Sequence, residues 1–106
     1  MNDDDIQIIN NIETYDLDGK KVTPKLIKND INEILRKRAY DLALESIEKY
    51  TVEKDMANYI KKKFDEEHPK SWQCVVGRDF AVSLSHESEN FIFFSIENTF
   101  FLLFKV

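Results

Sequence analysis

Two side chains of this sequence could carry out covalent chemistry. Cys74 would supply a thiolate nucleophile, and His86 would supply the imidazole base that activates it. Cys74 lies in an apolar stretch that reads as a strand, however, and a lone cysteine in such a place is usually a small core residue. A small thiol enzyme that uses Cys74 and His86 is therefore the weaker alternative.

The other chemistry-bearing residues do not form a pattern typical of a catalytic or cofactor site. His68, His86 and Cys74 lack the spacing of metal ligands. Gly19 and Gly77 are the only glycines, so the sequence has no glycine-rich loop that would bind phosphate. We predict a protein that is not an enzyme and that needs neither a cofactor nor a metal.

The composition limits the class of partner. A net charge of -5 over 106 residues argues against binding to a nucleic-acid backbone. The acidic start lacks the apolar core of a signal peptide, and the longest late apolar run, 100–104, is too short to span a bilayer. A single cysteine excludes an internal disulfide and fits a reducing compartment. We expect a cytoplasmic protein that contacts neither nucleic acid nor membrane.

The chain before the first helix divides into a leader and a short strand. Residues 1–20 are predicted to form an acidic, flexible N-terminal arm, with a short accessory strand as the alternative. Asp18-Gly19 is a turn signal. A strand is predicted over 21–28, and Pro24 restricts it to the edge of a sheet because proline has no backbone N–H. The folded domain is predicted over 21–106.

Two amphipathic helices are predicted in the middle of the chain. The first covers 31–50, with Asp30 and Glu33 forming a capping box. The second covers 52–67, with Thr51 as its N-cap, and ends at His68-Pro69 because proline disfavours helix at the preceding residue.

The last third of the chain changes to strand periodicity. Strands are predicted over 72–76, 80–85, 90–96 and 99–105. In the second of these, Phe80, Val82 and Leu84 alternate with small residues, so one face is apolar and the other leaves room for another chain. The predicted fold class is α+β, with two helices packed on an antiparallel sheet.

Six motifs in fixed order together resemble the eight-kilodalton dynein light chain family. The resemblance covers 28–106 without an internal gap and consists of EKYTVEKD at 48–55, YIKKKFD at 59–65, WQCVVGRDF at 72–80, HE at 86–87, FI at 91–92 and LLFK at 102–105. It implies a strand-swapped homodimer with two symmetric grooves at its interface. In each groove, a short disordered segment of a partner, such as the dynein intermediate chain, would add as a strand.

The resemblance also implies which residues form the groove and the interface. Glu53 and Lys54 would meet the glutamine of a Thr-Gln-Thr type motif, because free amides at a helix start bind a side-chain carbonyl. The implied peptide-binding groove comprises Glu53, Lys54, Arg78, Phe80, Ala81, Val82, Ser83, Leu84, Ser85, His86, Phe91, Phe93 and Ser95. The implied dimer interface comprises Gln73, Phe80, Val82 and Leu84.

Several groove positions depart from the family pattern. Ala81 stands where the family has glycine, and Ser83 and Ser95 stand where it has tyrosines. Phe93 also replaces a tyrosine, and Gln73 replaces an interface histidine. The loss of these tyrosines removes apolar contact and hydroxyl groups from the groove, so the preferred partner motif is expected to differ. The function implied is a light chain of a cytoplasmic or axonemal dynein motor on microtubules, and the alternative is a dimerisation hub for non-motor partners.

Overall fold

The computed structural model describes residues 14–69, 71–78, 80, 82 and 89–106. The elements in chain order are β1 (Tyr15–Leu17), β2 (Lys20–Val22), β3 (Lys25–Asp30), α1 (Glu33–Lys49), α2 (Glu53–Glu67), β4 (Trp72–Gly77), β5 (Phe91–Ile96) and β6 (Thr99–Lys105). The longer strands form one antiparallel sheet in the order β3-β5-β6-β4. The predicted α+β class is confirmed.

A small hairpin precedes the main sheet. β1 and β2 pair antiparallel, with Tyr15 opposite Val22, and the turn between them is the predicted Asp18-Gly19. Both turn residues have positive φ, as a tight two-residue hairpin turn requires. The accessory-strand alternative therefore describes 15–17, whereas the arm prediction for 1–13 concerns residues outside those described.

The strand predicted over 21–28 is divided in two at Thr23-Pro24. β2 ends at Val22 and β3 begins at Lys25. Proline cannot donate to a strand ladder, so the pairing is interrupted there. β3 occupies an edge of the main sheet, as predicted from Pro24.

Both helix N-caps differ from the prediction. Asn32, and not Asp30, caps α1, because its side-chain oxygen accepts a hydrogen bond from Leu35 N at 2.8 Å. Asp30 is instead the last residue of β3. α2 starts after Val52 without a side-chain cap, so the prediction for Thr51 is also wrong. The end of α2 at His68 is confirmed, where the backbone N–H donates to Phe64 O at 2.9 Å.

The core lies between the helices and one face of the sheet. Phe64 of α2 is fully buried against Trp72 of β4, with ring centroids 5.0 Å apart. Phe94 and Phe101 are register partners on β5 and β6 and stack at 5.1 Å. Tyr40 of α1 packs edge-on to Phe94, which joins the helix layer to the centre of the sheet.

Candidate functional site

The face of the sheet that points away from the helices is also apolar. Alternate residues of β4, β5 and β6 point into the helix-side core, so their neighbours point to the other side. We call this second side the outer face. It carries Gln73, Val75, Phe91, Phe93, Ser95, Phe100, Leu102 and Phe104.

β5 is buried on both faces. All six of its residues are buried, including Phe91 and Phe93, which are 3% and 7% exposed on the outer face. The helices cover only the opposite face. Strands buried on both sides are typical of sheets that are covered on both sides, and Phe80 supplies part of the cover on the outer face within the same chain.

Three phenylalanine rings meet on the outer face. Phe80 lies over Phe93 with ring centroids 5.4 Å apart, and Phe100 completes the cluster at 6.2 Å from Phe80 and 6.0 Å from Phe93. A Cβ at Gly77 would lie 3.1 Å from the Phe80 ring, so a larger residue there would require the ring to shift by a few tenths of an ångström. The Phe80 ring therefore packs closely against the glycine that ends β4.

The start of α2 lies beside the end of β4. Arg78 Nε lies 3.8 Å from Glu53 Oε1, which joins the two elements at the margin of the phenylalanine cluster. The Arg78 side chain is 83% exposed, so this ion pair contributes little to stability. Lys54 is exposed next to it and has no ion-pair partner within the described part of the chain.

The structure thus brings part of the predicted set together. Glu53 and Arg78 meet at the margin, and Phe80, Phe93 and Ser95 lie on or over the outer face. Phe91 occupies the opposite end of β5, paired with Phe104. Gln73 and Val82 of the predicted dimer interface are both half-buried, and Gln73 belongs to the outer face. Phe80 and Val82 are not part of a strand in this single chain. The predictions for Ala81, Ser83, Leu84, Ser85 and His86 concern residues outside those described.

Four outer-face residues were missed by the sequence analysis: Val75, Phe100, Leu102 and Phe104. Val75 of β4 lies opposite Leu102 of β6, and Leu102 lies opposite Phe93 of β5. Phe100 of β6 lies opposite Ser95 of β5. The signal that would have identified them is the register, since residues opposite each other in an antiparallel pair share a face. Val75 is 45% exposed, although it belongs to an otherwise covered surface.

Cys74 lies on the helix side of β4, packed against the core. Desolvation by burial raises the pKa of its thiol to about 12 from 9.0. The thiol is therefore protonated at neutral pH, and the thiolate required for nucleophilic attack is scarce. This environment speaks against the alternative of a thiol enzyme.

We expect Cys74 to resist alkylation in the folded protein. At pH 8, iodoacetamide should modify the native thiol at least about a hundredfold more slowly than the thiol of the chain unfolded in guanidinium, because only the thiolate reacts. Mass spectrometry of timed aliquots would measure both rates. Equal rates would show that Cys74 is accessible and that its thiolate is not suppressed.

An open cleft lies on the helix layer, away from the outer face. It is lined by Ile34, Lys37, Arg38, Asp41, Glu67 and His68. Arg38 donates to both carboxylate oxygens of Glu67, at 2.8 and 2.7 Å. The hydrogen bond from Arg38 lowers the pKa of Glu67. The cleft contains none of the predicted site residues.

Among residues 14–69, 71–78, 80, 82 and 89–106, no group of three or more His, Cys, Asp or Glu side chains is placed to hold a metal ion. Neither helix is long and apolar enough to cross a membrane.

Comparisons with known proteins agree on one family. The profile of the family described as dynein light chain type 1 matches residues 23–106. A protein of Emericella nidulans named "Dynein light chain, cytoplasmic" is 41% identical over 85 residues, which cover 80% of this chain and 90% of that protein.

Solved structures show the same fold. Two of them are structures of the dynein light chain-like domain of a Fasciola hepatica calcium binding protein. One has a TM-score of 0.69 at 22% identity, covering 87% of this chain and 97% of that domain. The other, a mercury derivative, has a TM-score of 0.67 at 20% identity, covering 78% and 91%.

Proposed function

This chain belongs to the dynein light chain family, and we propose that it is a non-catalytic, homodimeric light chain of the dynein motor that binds short extended segments of partner proteins. The dynein complex is its proposed assembly, and the cytoplasm is its proposed location. The similar Emericella nidulans protein carries a cytoplasmic name, which favours cytoplasmic over axonemal dynein.

The observation that supports the dimer most directly is the outer face. The two helices of one protomer cover one side of its sheet. On the other side Phe93 and Leu102 are already buried within the single chain, whereas Val75 is 45% exposed and offers an apolar contact to a partner. A second copy that packs its own outer face there would form an isologous contact. The edge of β4 supports the strand exchange, since none of the described strands pairs with its free side.

Peptide binding would use the margin of the same surface. An extended segment that adds to a strand obtains affinity from main-chain hydrogen bonds and specificity from side-chain pockets. Glu53, Lys54 and Arg78 supply charges beside the first turn of α2, whose free amides bind carbonyl oxygens. Phe80 and Phe93 supply the apolar floor, and Phe100 adds to it.

A peptide array tests this function. Extended segments of dynein intermediate chains, together with Thr-Gln-Thr type peptides substituted at each position, would be probed with the full-length protein. We expect binding to particular short motifs, and we expect pull-down from the native cell to recover dynein intermediate chains. A pull-down dominated by other proteins would favour the hub alternative, and the absence of any peptide preference would contradict the groove.

Lys54→Ala is expected to weaken peptide binding without changing the dimer. The loss should be about 1–3 kcal/mol, the range for a hydrogen bond that involves a charged group. Isothermal titration calorimetry would measure it. Lys62→Ala changes an exposed lysine about two turns further along α2, serves as the matched control and should bind the peptide as the parent does. Unchanged binding by the Lys54 variant would contradict the assignment of this residue to the groove.

Gln73 is expected to keep the dimer together in mild acid. The family's histidine at this position gains charge as the pH falls through about 6.5, and two like charges across a two-fold axis repel each other. Glutamine stays neutral and still has a donor and an acceptor to offer. Sedimentation equilibrium from pH 7 to about 5 should show a persistent dimer, whereas Gln73→His should dissociate.

A further asparagine variant controls for this substitution. Gln73→Asn changes the side-chain length without adding a titratable group, so its dimer should not depend on pH in this range. If the parent protein dissociates over the same pH range as Gln73→His, the acid response resides elsewhere in the chain.

A further inference from the structure

The second edge of the main sheet belongs to β3. β3 pairs with β5 on one side, and none of the described strands pairs with its other side. All six residues of β3 are exposed, and its apolar residues Leu26 and Ile27 are 40% and 44% exposed. A strand edge with exposed apolar residues is a template for pairing with another chain. Features of the strand that oppose such pairing are therefore of interest.

A β-bulge in β3 places two lysines on the same face of the strand. Lys25 lies opposite Ser95 and Lys28 lies opposite Phe93, and the register shifts between Leu26 and Lys28. Ser95 and Phe93 both belong to the outer face, so the two lysines share that face. In an uninterrupted strand, residues three apart would point to opposite sides, so the shared face is a consequence of the bulge. Neither lysine has an ion-pair partner within the described part of the chain.

These two lysines oppose the pairing of β3 with the same strand of a second copy. The antiparallel register that places Leu26 opposite the other copy's Ile27 would join the exposed apolar residues of both chains. The same register places Lys25 opposite the other copy's Lys28, once on each side of the two-fold axis. Like charges directly opposite each other destabilise a strand pair. The register that favours apolar contact is therefore the one that the lysines disfavour.

The register that satisfies the charges loses the apolar contact instead. Asp30, the acidic residue of β3, lies opposite the other copy's Lys25 when the register is moved by two residues. Leu26 then lies opposite Asn29, and Ile27 lies opposite Lys28. No register of two β3 strands matches both the charges and the apolar residues in this way, which is how natural sheet edges avoid pairing with one another.

We propose that Lys25 and Lys28, brought to one face by the bulge, keep the β3 edge from pairing with the β3 edge of a second copy. Association of this chain with itself is thereby confined to other parts of the sheet. The inference does not depend on the peptide groove, and it applies equally to a single chain and to a dimer formed through the outer face.

Neutralising both lysines tests the proposal. Lys25→Thr combined with Lys28→Thr removes the charges and introduces a residue type favoured in strands. Because each molecule would gain an edge that accepts its own kind, we expect light scattering at micromolar concentration to give at least about twice the mass of the parent. Lys25→Glu combined with Lys28→Glu is the matched control. It again places like charges opposite each other, so this variant should keep the mass of the parent.

Hydrogen exchange identifies the edge that is used. In the threonine variant, we expect the amides of β3 to exchange at least about tenfold more slowly than in the parent, with exchange in β4 unchanged. A threonine variant that keeps the mass of the parent would overturn the proposal. So would association of the glutamate variant to the same extent, or association of the threonine variant without slower exchange in β3.

Discussion

Val75→Glu is expected to convert the dimer into a monomer. The native protein should show twice the chain mass of 12.6 kDa in light scattering at micromolar concentration, and the variant should show the single-chain mass. The proposed dimer buries the outer face, so both copies would bury an unpaired carboxylate. Such a charge costs several kcal/mol, and about 3 kcal/mol already weakens association by roughly a hundredfold.

The Val75→Glu substitution separates an effect on association from an effect on folding. Val75 is 45% exposed in one protomer, so a glutamate there leaves the fold of an isolated chain nearly unaffected. Ile34→Glu is the matched control, because Ile34 is 77% exposed on the helix layer. This variant should remain dimeric. A native protein that is a monomer at this concentration, or a Val75→Glu variant that stays dimeric, would contradict the proposed interface.

Phe64→Ala is expected to cause the largest loss of folding stability of any substitution considered. Phe64 is fully buried and packs against Trp72 of β4 and His68, with ring centroids 5.0 and 5.1 Å away. Truncation removes the apolar contacts and leaves a cavity between α2 and the sheet. Large-to-small changes of this kind cost about 3–5 kcal/mol. Denaturant unfolding followed by circular dichroism would measure the loss.

Two further variants make the Phe64 result specific. Phe64→Leu retains most of the apolar volume and should cost clearly less than Phe64→Ala. Ile34→Ala removes an exposed side chain and should change the free energy of unfolding by less than about 0.5 kcal/mol. Similar losses for Phe64→Ala and Ile34→Ala would show that α2 does not pack on β4 as described.

The elements were predictable because their periodicity is local. β6 has the predicted bounds, and the change from helical to strand spacing after His68 identified the fold class. The cap of α1 was harder, since Asp30 and Asn32 are both favourable cap residues and the sheet decides between them. Asp30 is held in β3 opposite Phe91, so the next suitable side chain caps α1.

The site was predictable only in part, because its surface depends on register between distant strands. The motifs identified Phe80 and Phe93, whereas Phe100 joins them only through the pairing of β5 with β6. The close packing of the Phe80 ring on Gly77 likewise becomes visible only in the folded chain. The low reactivity expected of Cys74 follows from its position on the core side of β4, which depends on the alternation around it.

The exposed Val75 on the outer face has a thermodynamic consequence. If another copy covers this residue, folding and association are one linked equilibrium, and the melting temperature rises with protein concentration. The same linkage applies to a bound peptide that contacts both copies. The peptide strengthens association of the dimer by the same factor by which dimerisation strengthens binding of the peptide. A partner that carries two such segments would therefore stabilise the light-chain dimer to which both segments bind.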